Sequence, residues 1–99
     1  MAFKITWTVK AQKDRLAILE YWTDRNKSRL FAVKLNEIFN SRIELLSHYP
    51  NLGKKTDMRN IRVLIVRDYL IFYKIIDNII FIISLFDARQ NPKKFKRIK

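Results

Sequence analysis

Apolar and polar residues alternate in "FKITWTVKA" (3–11). Phe3, Ile5, Trp7 and Val9 fall on one face, and Lys4, Thr6, Thr8 and Lys10 on the other. A period of two predicts a strand with one buried face. The period then changes. In "AQKDRLAILEYWTDRN" (11–26), Leu16, Leu19 and Trp22 recur at three-residue steps with Ile18 and Tyr21 beside them, which predicts an amphipathic helix. "KSRLFAVKLNEIFNSRIELLSHYP" (27–50) predicts a second helix. Ser28 is its candidate N-cap and Pro50 its stop, and Phe31, Leu35, Ile38, Phe39, Arg42, Leu45 or Leu46, and Tyr49 follow helical spacing. Few residues separate the two helices, so they should pair as an antiparallel hairpin.

"NLGKKTD" (51–57) carries the only glycine and reads as a loop. Three β-type runs follow: "NIRVLIVR" (60–67), "YLIFYKII" (69–76) and "IIFIISLF" (79–86). Asp77-Asn78 between the last two suits a two-residue hairpin turn. The last two runs are apolar on both faces, which places them in the middle of a sheet, and the helical hairpin is the available cover. The order β-α-α-β-β-β defines an α+β fold: an N-terminal helical hairpin packed on one face of a mostly antiparallel four-stranded sheet. Ninety-nine residues make one domain, 1–99.

Charge changes the picture. Twenty-one Lys and Arg against nine Asp and Glu give a net charge of +12. A domain this basic expects an acidic partner, either nucleic acid or an acidic protein. No cysteine and one histidine exclude disulfides, thiol nucleophiles and Cys-based zinc sites, and leave no basis for a metal or cofactor. No apolar run approaches the ~20 residues that span a bilayer, so no membrane partner is expected and the expected location is cytoplasmic. Two basic clusters stand out. Lys54, Lys55, Arg59, Arg62 and Arg67 surround the strand at 60–67, where alternation puts Arg62, Leu64 and Val66 on one face and Arg67 on the other. The C-terminus "ARQNPKKFKRIK" contributes Arg89, Lys93, Lys94, Lys96, Arg97 and Lys99 around Phe95. Strand pairing could bring the two clusters together.

Three strings carry a resemblance: "YPNLGKK" after the second helix, "IRVLIVRDYLIFYKI" across two strands, and "FDARQNP" after the last. The chain resembles the RelE/ParE superfamily of bacterial type II toxins over nearly its whole length. The matching positions are Pro50, Leu52 and Gly53; Arg62; Tyr69, Ile71 and Tyr73; and Arg89 and Pro92. The resemblance implies a growth-arresting toxin neutralised by a small acidic antitoxin, with operator DNA contacted only indirectly, through that antitoxin. It leaves two targets open. RelE-like members cleave mRNA on the ribosome; ParE-like members inhibit DNA gyrase without cutting nucleic acid. A basic nucleic-acid-binding domain without toxicity is a further alternative.

Metal-free RNA cleavage needs groups that move protons and groups that stabilise phosphate charge. Arg62, Arg89, Lys54 and Lys55 could do the second. RelE-like nucleases commonly carry Arg directly after the first aromatic of the third strand, where this chain has Leu70, and a Tyr or His-Tyr pair near the C-terminus, where it has Phe95. A gyrase inhibitor needs a binding surface rather than a reaction centre, and the expectation favours that target. The expected contact residues are Arg59, Arg62, Arg67, Tyr69, Arg89, Lys93, Lys94, Phe95, Lys96 and Arg97. Each has a plainer reading: Tyr69 and Tyr73 as sheet packing, Arg62 as an exposed edge residue, the tail as a solvated end. His48 suits the C-terminus of the second helix.

Overall fold

Thr8 ends the first strand and starts the first helix. Its hydroxyl accepts a hydrogen bond from Ala11 N at 3.1 Å, the geometry of an N-cap. In the computed structural model, which describes residues 2–89, β1 is therefore only Lys4–Trp7, and α1 runs Val9–Asn26. Val9, placed on the buried strand face by alternation, instead lies exposed in the first turn of α1. Lys27 closes α1 with a left-handed backbone, φ 54°. α2 spans Leu30–His48. Its N-cap is Arg29 rather than Ser28, whose hydroxyl accepts from Leu30 N one step too early to cap the helix. The buried stripe of α2 is Ala32, Leu35, Phe39, Ile43 and Leu46. Phe31 and Tyr49, expected on that face, are exposed, although the Phe31 ring still meets Trp22 edge-on at 4.9 Å.

Among the described residues the sheet has five strands rather than four. β2 (Lys54–Lys55), β3 (Ile61–Val66), β4 (Tyr69–Ile76) and β5 (Ile79–Asp87) join β1 in the order β1-β5-β4-β3-β2. β1 pairs with β5 in parallel; the other pairings are antiparallel. The extra strand is two exposed lysines opposite Val63 and Arg62, with no apolar alternation to announce it. Central placement of the two doubly apolar strands follows from their sequence: β4 lies between β3 and β5, and β5 between β4 and β1. The helix-facing side carries Leu64, Val66, Tyr69, Ile71, Tyr73, Ile80, Ile82 and Leu85, packed with α1 and α2 in the main core. The other side carries a smaller cluster built on Val63, Leu70 and Phe72.

One irregularity in β5 fixes α1 on the sheet. Phe72 pairs with Ser84 while Tyr73 pairs with Ile82, so Ile83 is an extra residue, a β-bulge. The Thr8 hydroxyl donates to the carbonyls of Ile82 and Ile83, at 2.9 and 3.1 Å. Beyond the end of β1, Leu85 N donates to Asp14 Oδ2 at 3.1 Å, and Lys10 pairs with that same oxygen at 2.8 Å. The first two turns of α1 thus supply partners to backbone groups that the short β1 leaves open.

A second tie holds the far end of α2. The Tyr73 hydroxyl donates to Pro50 O and accepts from Gly53 N, both at 2.8 Å, on a residue with no exposed surface. Arg62 Nη1 donates to Gly53 O at 2.7 Å and to Asn51 O at 3.3 Å. The loop after α2 is clasped from two adjacent strands. A Cβ on Gly53 would lie 2.6 Å from Tyr73 Cε1 and 2.8 Å from Val63 O, and the latter is backbone that cannot step aside. Gly53→Ala should therefore cost about 3 kcal/mol, an overpacking penalty. Tyr73→Phe should cost about 2 kcal/mol because it leaves the buried Gly53 N–H unpaired. Urea unfolding of both variants checks this; a Gly53→Ala midpoint equal to the parent's would refute the steric account.

Candidate functional site

The arginines picked out from the sequence are both held on the helix-facing side of the sheet, but apart. Arg62 lies opposite Tyr73 in the β3–β4 register, and Arg89 lies beside Tyr69. Tyr69 and Tyr73 are four residues apart on β4, about 13 Å along a strand. Strand pairing therefore does not bring Arg89 to Arg62. It divides the basic residues into two ends. Arg67 belongs with Arg89 rather than with the lysines. It sits in the turn between β3 and β4 with φ 55°, outside the strand, and Ala88 N donates to the neighbouring Asp68 O at 2.8 Å.

At the Arg89 end, the guanidinium binds Asp87 with two hydrogen bonds, Nε to Oδ1 at 3.0 Å and Nη2 to Oδ2 at 2.8 Å. Asp68 lies 3.8 Å away. The Trp22 and Tyr69 rings lie 5.4 and 6.0 Å from its central carbon. Trp22 Nε1 donates to the Tyr69 hydroxyl, and the Tyr69 ring meets Phe39 edge-on. Tyr69, an expected contact residue, is 3% exposed and is part of the core. The fork of Arg89 holds the Asp87 carboxyl below the usual carboxylate range, and the same bonds raise the affinity of Arg89 for its proton. Burial pushes the Tyr69 hydroxyl up. Asp14, Tyr21, Trp22, Tyr69 and Asp87 help to line a cavity of about 240 Å³ here.

At the other end, Lys55, Arg59, Arg62 and Lys74 line a cavity of about 370 Å³ with Thr56, Asn60, Ile61 and Ile75. Burial also raises the Tyr73 hydroxyl above the usual phenol range. Lys54 is exposed on β2. Lys74 was missed in the sequence, although it is the only charge within β4. Leu70, where a nuclease commonly has arginine, is 6% exposed within the apolar cluster of Val63 and Phe72. Lys93, Lys94, Phe95, Lys96, Arg97 and the matched Pro92 lie outside the described residues. Among the described residues no three of His, Cys, Asp and Glu come together to hold a metal, and no helix is long and apolar enough to cross a membrane.

The third surface lies on the helical hairpin. Leu16, Leu19, Ala32 and Val33 line a groove of about 400 Å³ between α1 and α2, continuous through Arg29 and Val33 with a shallower hollow at Leu30, Lys34 and Glu37. Leu16, Leu30 and Val33 are 55%, 77% and 48% exposed, which leaves an apolar strip open to a partner.

The Asp87–Arg89 fork should contribute about 1 kcal/mol at neutral pH, discounted because the arginine side is half exposed. Asp87 has a depressed pKa in the fold, so its contribution is present above the unfolded value of about 3.9 and is lost as pH falls through the lower folded value. Asp87→Asn should therefore be less stable than the parent at pH 7, with the gap closing in acid. Thermal unfolding at pH 7 and below pH 3 compares them, and a gap that persists in acid would contradict this account.

A family model described as the ParE toxin of the type II toxin–antitoxin system parDE matches residues 5–92. Comparison with curated proteins returns no match. Among solved structures, the chain is similar to one described as a chromosomal ParDE toxin–antitoxin system from P. aeruginosa, with 18% identity and a TM-score of 0.77, covering 87% of this chain and 96% of that one. At that identity the structural likeness speaks for the fold, and the family match carries the assignment. From the clasped Pro50–Gly53 loop to the arginine that follows β5, this chain belongs to the ParE toxin family of type II toxin–antitoxin systems.

Proposed function

We propose that this toxin arrests growth by binding DNA gyrase, without cutting RNA, and that a small acidic antitoxin neutralises it by docking on the helical hairpin. The observation that carries the target is the way its two family arginines are held. Arg62 is bonded to the carbonyls of Asn51 and Gly53, and Arg89 is forked onto Asp87. About 13 Å of strand separates their positions, so they do not converge on one phosphate. The place where a nuclease commonly has a further arginine is Leu70, enclosed in apolar side chains. This arrangement favours a binding surface over a reaction centre. Arg59 and Arg67 are exposed at the two ends of β3, and with Lys93, Lys94, Phe95, Lys96 and Arg97 they are the contacts we assign to the target.

The antitoxin reading rests on the strip at Leu16, Leu30 and Val33, which presents apolar area on a chain of net charge +12. An acidic segment that folds as an amphipathic helix would cover the strip while the overall field attracts it. Glu20, Asp24 and Glu37 also line the groove, so the attraction comes from the whole chain rather than from the groove walls.

Purified toxin should inhibit gyrase supercoiling and leave mRNA intact in a translation extract; codon-dependent cleavage in the extract would overturn the target. Leu30→Asp with Val33→Glu should change stability by no more than about 0.5 kcal/mol, since both sites are exposed. The same double variant should weaken neutralisation by the antitoxin by about tenfold or more. Coexpression rescue of growth reads this out, and undiminished rescue would move the antitoxin to another surface.

A further inference from the structure

We infer that Asn36 is the residue by which the hairpin groove selects its partner, and that the docking segment meets it with a cationic donor, an arginine or lysine side chain. The inference rests on the antitoxin docking in this groove. Asn36 follows Ala32 and Val33 on α2 by four and three residues, so it shares their face of the helix and lines the groove with them. Its Oδ1 is shut off from solvent and has no hydrogen-bond partner, alone among the buried side-chain polar atoms of the described residues. Buried acceptors are nearly always paired, because an unmade bond costs the desolvation of the group. An orphan acceptor in the wall of an open apolar groove marks a bond that forms in the complex. The terminal torsion of an asparagine is broad, so the amide can turn to meet a donor.

The groove supplies no donor of its own. Thr23 Oγ1 gives its hydrogen to Leu19 O at 2.9 Å. Glu20 and Asp24 only accept when ionised. Arg29, the one cation of the lining, makes no bond to Asn36 Oδ1. The charge of the wall then selects among donors. On a chain of net charge +12, this lining carries two carboxylates against one guanidinium. Glu20 and Asp24 stand four residues apart on α1, a spacing at which like charges destabilise a helix, and neither has an ion pair among the described residues. A cation from the partner satisfies Asn36 and relieves that repulsion, whereas a neutral donor does only the first. A partner that closed the groove with apolar side chains alone would seal the acceptor in unpaired, and that penalty rejects it. An acidic segment with one basic residue on its apolar stripe therefore fits both the field of the whole chain and the wall of the groove.

Variants of the full-length chain are titrated with the antitoxin that rescues growth on coexpression, and isothermal titration calorimetry reads the affinity. Asn36→Leu removes the orphan acceptor, so its urea midpoint should equal or exceed the parent's while its affinity falls about tenfold or more. Glu20→Gln with Asp24→Asn makes the chain still more basic, which by long-range attraction alone would tighten binding of an acidic partner. It should instead weaken binding by about threefold, the measure of an exposed ion pair. Three results overturn the inference: Asn36→Leu bound as tightly as the parent, Asn36→Leu less stable than the parent, or the Glu20–Asp24 double variant bound as tightly as the parent or more so. Leu30→Asp with Val33→Glu, titrated alongside, tests the docking itself. If that variant binds like the parent, the docking surface is wrong and the role of Asn36 falls with it. If it loses binding and Asn36→Leu does not, the groove stands and only the role of Asn36 falls.

Discussion

The Tyr73 hydroxyl is the bond on which the arrangement of the two layers turns. It stands on the central strand, has no contact with solvent, and closes on a carbonyl and an amide of the loop that leaves α2. A buried hydroxyl needs both its donor and its acceptor satisfied, because water cannot replace either. The loop answers with Pro50 O and Gly53 N, and this sets how closely α2 can approach the sheet. Arg62 then fastens the same loop from β3. The far end of the helical layer is held by Thr8 and Asp14 against the bulge of β5. Between these ties, the apolar stripe of α2 packs on a sheet face whose position is already determined by polar contacts.

Periodicity made most of this legible. The alternation of β1, the helical spacing of Leu35 and Phe39, and the doubly apolar β4 and β5 each reflect burial, and burial is written in side chains. The misses share a different origin. β2 exists because two lysine backbones pair with Val63 and Arg62, and backbone pairing leaves no mark on residue type. Val9–Ala11 became helical because one threonine hydroxyl capped a helix where alternation alone would continue a strand.

The positions of the candidate site residues were easier to read than their engagement. Arg62 and Arg89 stood out as charges in or beside apolar strands, and their partners were hidden to different degrees. The acceptors of Arg62 are carbonyls, which every residue has. The partner of Arg89 was visible in principle: Asp87 lies two residues earlier, where an aspartate side chain readily accepts from the backbone two residues on, as it does from Arg89 N at 2.9 Å. Tyr69 was read toward a target surface, yet Trp22, Phe39 and Arg89 enclose it from three elements. No single stretch of sequence contains that enclosure.

The chain separates the two uses that glycine usually combines. Its one glycine has no left-handed backbone and is required only for the room its missing side chain leaves beside Tyr73. Among the described residues the left-handed positions fall instead to Lys27, Asn60, Arg67 and Asp77, with φ of 54°, 64°, 55° and 55°. Asn and Asp tolerate that region; Lys and Arg bear a conformational cost of about 1 kcal/mol each. The fold therefore carries unused stability in two of its tightest connections, after α1 and between β3 and β4, and it keeps cationic side chains there despite the strain. Glycine would relieve the backbone at Lys27 or Arg67 at the loss of a surface charge, whereas any side chain at Gly53 would add a clash.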